Sequence, residues 1–86
     1  MKINEKYIVH NTNQEGLLIP TGGAEFSGIV RGNKTLGAVL ELLQTETTEK
    51  DVIERLCERF EAPEMVIAAD VRKVLKELRD IGAIDE

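Results

Sequence analysis

The last third of the chain, DVRKVLKELRDIGAIDE (70–86), most narrows what the protein can fold into. At 100° per residue it reads as a helix with three faces. Val71, Val74, Leu75, Leu78 and Ile81 form one apolar face. Arg72, Lys76 and Arg79 fall on one flank of that face, and Asp70, Glu77 and Asp80 on the other. Gly82 stands where a left-handed residue stops a helix, and Ile84 can fold back over its end. A helix of this kind does no chemistry alone. It packs in a small domain and presents a charged edge to a partner.

With 86 residues, the chain is expected to form a single domain, 1–86. At this size about 60–65% of the unfolded surface is buried, so stability is marginal unless a partner adds to it. No apolar run approaches the ~20 residues that span a bilayer. The polar start MKINEKY lacks the apolar stretch of a secretory signal. The single cysteine, Cys57, cannot form an internal disulfide, and a reducing cytoplasm is the expected compartment. Net charge is −5; residues 1–44 carry four basic and four acidic side chains, whereas 45–86 carry seven basic and twelve acidic. A nucleic-acid reader offers phosphates a positive field. This chain offers the opposite, so neither nucleic acid nor a membrane is the expected partner.

Ahead of the last helix the period changes twice. YIVHNT (7–12), LLIP (17–20) and FSGIVR (26–31) read as three strands, separated by Asn13–Gly16 and by Gly22-Gly23. Tight connections favour an antiparallel meander. Gly28 within the third strand suggests a bulge or the close approach of another backbone. From Asn33, a good N-cap, Leu36, Val39, Leu40 and Leu43 recur at helical spacing. Gly37 costs that helix about 1 kcal/mol against alanine, which suggests close packing on a neighbour. A second helix begins at Thr48, with Asp51 as a capping-box partner, and buries Val52, Ile53, Leu56, Cys57 and Phe60. Pro63 suits the first turn of the third helix, expected from about Glu64 to Ile81. Three strands then three helices make an α+β, winged-helix-like domain: an N-terminal three-stranded antiparallel β-meander followed by a three-helix bundle. So small a sheet has two exposed edges, and one of them is the natural docking rail.

Catalytic constellations fail in turn. His10 and Cys57 stand far apart, in a strand and on an apolar helix face, so Cys57 reads as a buried structural thiol and His10 as a surface residue. A metal centre would need more nitrogen or sulfur ligands than these two. The carboxylates in TETTEKD do not follow a calcium-loop pattern, and Gly22-Gly23 lacks the context of a phosphate loop. Three aromatics (Tyr7, Phe26, Phe60) do not make a base-stacking platform. The expectation is therefore no enzyme and no cofactor. Arg72, Lys76 and Arg79 read either as a solvated face or as a rim that steers an acidic partner.

The ordered set of these pieces resembles the PqqD family of small peptide chaperones, also called RiPP recognition elements. The resemblance rests on the strand–Asn junction GIVRGN (28–33), the helix end VLELL (39–43), the Thr-initiated helix TTEKDVIERLCERF (47–60) and DVRKVLKELRDIGAI (70–84). Two connections depart from the family pattern: Gly32 stands where members often carry leucine, and Gln44-Thr45 where they often carry Asp-Gly. The resemblance implies a cofactor-free module that binds the leader segment of a ribosomally made precursor peptide by strand addition. It presents that leader to a modifying enzyme, a radical S-adenosylmethionine maturase. By position, the implied site is Phe26, Ser27, Gly28, Ile29, Val30 and Arg31 on the third strand. On the third helix it is Ile67, Asp70, Val71, Arg72, Val74, Leu75 and Lys76. Exposed strands also allow pairing between copies as a homodimer. The alternative is a winged-helix nucleic-acid-binding protein with the last helix as recognition helix, against which the net charge and the few aromatics count. An enzyme subunit with a structural role only is a third reading.

Overall fold

The computed structural model describes residues 1–24 and 28–86. The chain runs β1 (Lys2–Ile3), β2 (Tyr7–Asn11), β3 (Gly16–Pro20), β4 (Val30–Gly32), α1 (Lys34–Leu42), α2 (Glu49–Arg59), α3 (Glu64–Asp80) and β5 (Ile84–Asp85). β2, β3 and β4 form the expected antiparallel meander in that spatial order, so β4 and β2 are its edges. Three helices follow, and the architecture is α+β as the sequence pattern predicts.

The helix starts are set locally. Asn33 Oδ1 accepts from the Thr35 and Leu36 N–H groups at 3.1 and 3.2 Å, and Thr48 Oγ1 accepts from the Asp51 N–H at 3.1 Å. Pro63 is itself the N-cap of α3, one position earlier than a first-turn residue. Gly82, at φ +70°, ends α3 in the left-handed conformation expected of it. The core lies between the inner face of the meander and the helices. Leu18 from β3, Val39, Leu40 and Leu43 from the α1 segment, Val52 and Leu56 from α2, and Val71, Leu75 and Leu78 from α3 are all essentially inaccessible. Cys57 is half-buried against that core, and His10 is exposed.

Three features refine or extend the sequence reading. β1 and β5 pair antiparallel, Lys2 with Asp85 and Ile3 with Ile84, and clasp the two ends of the chain together. Two-residue strands some eighty positions apart carry no periodic signal. The third strand is shorter than expected and shifted: it holds Val30, Arg31 and Gly32, with Gly28 in a bend and Ile29 just before it. Phe26 and Ser27 lie outside the described residues. α3 ends at Asp80, and Ile81 is its C-cap.

Proline explains where β4 starts. The Thr12 N–H donates to the Glu15 carbonyl at 2.9 Å and the Thr21 N–H to the Lys6 carbonyl at 2.8 Å, so 12:15 and 6:21 are hydrogen-bonded pairs flanking the β2–β3 ladder. Alternation along an antiparallel ladder then makes 8:19 and 10:17 the bonded pairs between them. It leaves Gly16, Leu18 and Pro20 facing β4. Gly32 and Val30 take the first two of these as partners. Continuing the ladder would pair Gly28 with Pro20, which has no N–H to donate.

Candidate functional site

The same alternation decides which backbone groups β4 leaves free. The N–H and C=O of Val30 and Gly32 point inward, to Leu18 and Gly16. The peptide groups on either side point the opposite way. The Ile29 carbonyl, the Arg31 N–H and carbonyl, and the Asn33 N–H therefore face outward along the edge of the sheet. Among the described residues no strand covers that edge. Unpaired groups in this arrangement template the addition of another strand.

Beside the edge lies a groove of about 260 Å³ between β4, the start of α1 and one face of α3. Its walls are Arg31, Gly32, Asn33, Thr35 and Leu36 on one side and Asp70, Lys73, Val74 and Glu77 on the other. The α3 residues form one helical row at spacings of three, four and seven. Gly32 leaves room for the Leu36 side chain against the strand. A Cβ there would fall 2.6 Å from Leu36 Cδ2, so strand and helix meet at van der Waals distance only because position 32 is glycine.

The implied site residues divide on this geometry. Arg31, Asp70 and Val74 line the groove together. Ile29 is 58% exposed, and Val30 is half-buried with its backbone committed to β3. Ile67, Val71 and Leu75 are buried in the core beneath the groove and do not line it, because they lie on the stripe that packs against the other helices. Arg72 and Lys76 are exposed but lie outside the groove.

The basic flank is also less free than its spacing suggests. Arg72 lies 3.6 Å from Glu49 at the start of α2, Lys76 lies 3.1 Å from Asp80, and Arg79 lies 2.8 Å from Glu86. These exposed pairs add little stability, yet each neutralises the charge that would act on a partner. Within the groove, Asp70, Lys73 and Glu77 form no ion pair with any described residue, while Arg31 is held by Glu15 at 3.0 Å. Lys73, Glu77, Leu36, Thr35 and Gly32 were not expected at the site. The row 70, 73, 74, 77 is the signal that could have found the α3 members.

Chemically, the arrangement offers a surface for binding. Among the described residues no cluster of metal-ligating side chains occurs, and no buried polar side-chain atom lacks a partner. A free edge with paired donors and acceptors, next to a depression the size of one side chain, fits an extended peptide.

Residues 15–84 match the family model described as coenzyme PQQ synthesis protein D (PqqD). The chain belongs to the PqqD family. No curated protein matches it. Among solved structures, it is similar to TbiB1 in complex with the TbiA(beta) leader peptide, with a TM-score of 0.80 at 14% identity over 99% of this chain and 95% of that one. It is also similar to a lasso peptide synthetase B1 complexed with the leader peptide, with a TM-score of 0.73 at 16% identity over 95% of this chain and 93% of that one. At these identities the likeness is one of fold. No helix among the described residues is long and apolar enough to cross a membrane.

Proposed function

We propose that this chain is a non-catalytic recognition domain, spanning 1–86, for the leader segment of a ribosomally synthesised precursor peptide. The observation that carries the proposal is the free β4 edge, with the Arg31 N–H and carbonyl facing outward beside the groove walled by Val74 and Leu36. The leader adds as a fourth strand, its backbone pairing with Arg31 and its alternate side chains entering the groove. Membership of the PqqD family supports this reading, as do two structural neighbours that are themselves leader-peptide complexes.

The domain holds the leader for a separate modifying enzyme, a radical S-adenosylmethionine maturase, in the cytoplasm. Tethering raises the local concentration of the segment to be modified, with no new contact to that segment required. No cofactor enters this role. The β4 edge and the α3 row that wall the groove come from one chain.

The test is calorimetric titration with a synthetic leader from a short precursor encoded beside this chain. Saturable one-to-one binding is expected. Absence of binding at 100 µM peptide overturns the assignment.

A further inference from the structure

We propose that the outer face of the sheet docks the modifying enzyme, through a cross-strand row of three isoleucines, Ile8, Ile19 and Ile29. The inference rests on the leader-docking reading above and adds the surface on which the enzyme meets the domain.

The register builds the row. Ile8 lies opposite Ile19, and carrying the Leu18–Val30 pairing one position further sets Ile29 opposite Ile19 on its other side. Residues directly opposite one another share a face of a sheet. Leu18 and Val30 point to the core, so Leu17, Ile19 and Ile29 point away from it. Ile8 and Ile29 are 55% and 58% exposed, and neither they nor Leu17 and Ile19 pack against the core. The next row, His10–Leu17–Arg31, gives the patch a polar border on either side of Leu17.

The strands themselves call for a cover. Each carries apolar residues on both faces: Ile8 and Val9, Leu17 to Ile19, Ile29 and Val30. An antiparallel sheet with one solvated face alternates apolar and polar residues, whereas a continuous apolar run belongs to a sheet covered on both sides. Among the described residues, the helices pack on the inner face. An exposed apolar patch with a polar rim marks an interaction site.

Extent and position select the occupant. Three strands about 4.8 Å apart, the longest of five residues, present on the order of 250 Å² in plan. A stable interface takes about 800 Å² from each partner, so the patch is too small to hold two copies together unaided. The modifying enzyme needs less from it, because that enzyme also grips the precursor that the domain holds. A leader strand on β4 extends this same face. The leader residue opposite Arg31 turns its side chain outward, as Arg31 does. A protein seated on the isoleucine row therefore reaches leader and domain together.

The experiment immobilises the intact protein and measures binding of the purified peptide-modifying enzyme encoded beside it by biolayer interferometry, with and without saturating leader peptide. Ile8→Glu, two strands away from the β4 edge, and Ile29→Glu should each weaken enzyme binding at least tenfold. Ile8→Glu should leave leader affinity, read by calorimetry, within twofold of the parent. Met65→Glu, which alters an 83% exposed apolar side chain on α3, should leave both affinities unchanged. Ile29→Glu carries the test if Ile8→Glu melts early by circular dichroism. Undiminished enzyme binding in both isoleucine variants, or no enzyme binding to the parent at 50 µM, overturns the docking face. A parent dimer in sedimentation equilibrium that Ile8→Glu dissociates gives the face to a second copy and overturns it too. A parent that holds the enzyme through the row yet binds no leader overturns the leader-docking reading alone.

Discussion

Gly16 in β3 and Gly37 in α1 meet backbone to backbone: a Cβ on Gly16 would fall 2.5 Å from the Gly37 Cα and 2.6 Å from its nitrogen. The contact seats the helix on the sheet and so sets where α1 starts relative to β4. The two positions are not equivalent. A Cβ on Gly37 would meet the Gly16 Cα at 3.4 Å, an ordinary contact. Gly16→Ala should therefore cost about 1–3 kcal/mol, as for overpacking. In Gly37→Ala the helix-propensity gain is about 1 kcal/mol and the added contact is an ordinary one, leaving stability equal to the parent's or up to about 1 kcal/mol above it. Urea denaturation of both variants checks this, and equal destabilisation would refute the asymmetry.

The edge makes a prediction one residue apart. Val30→Pro removes an N–H that bonds to Leu18 inside the sheet, whereas Arg31→Pro removes one that faces outward. Val30→Pro should lower the thermal midpoint. Arg31→Pro should keep it close to the parent value while weakening leader binding by about 1 kcal/mol or more. Circular dichroism and calorimetry separate the two. If both prolines unfold the protein to the same extent, the assignment of outward and inward groups is wrong.

The charged flank of α3 should matter less than its spacing implies. Arg72, Lys76 and Arg79 each have a carboxylate partner within the chain, while Lys73 faces the groove without one among the described residues. Neutralising the three to glutamine should change leader association at low salt less than Lys73→Glu alone does. Stopped-flow association at two ionic strengths reads this, because exposed charges act on the rate and fade with salt. A larger effect from the triple variant would return the steering role to the flank.

Much of the domain is legible in the linear chain, and for one reason. Caps, helix periodicity and stop signals act over three to five residues. Hence Asn33, Thr48 and Gly82 sit where their chemistry predicts, and the apolar recurrence from Leu36 to Leu43 marks the first helical segment. The order of strands and helices, and with it the fold class, follows from those local signals. Of the groove, Arg31, Asp70 and Val74 are also within reach of the sequence, through the resemblance to the family.

Tertiary structure decided the rest, because those properties depend on residues far apart in the chain. Pro20 ends the β3–β4 ladder from across the sheet, which delays β4 to Val30 and selects Arg31 as the residue with a free backbone. The helical period marks Val71, Leu75 and Leu78 as apolar, but only the docking of α3 against the other elements brings Lys73 and Glu77 to the groove beside β4. Glu49, on another helix, takes up the charge of Arg72. The clasp of Lys2–Ile3 with Ile84–Asp85 exists only once the helices have brought the chain ends together. A one-dimensional pattern says which residues prefer the interior; only the assembled layers say which of them cover one another.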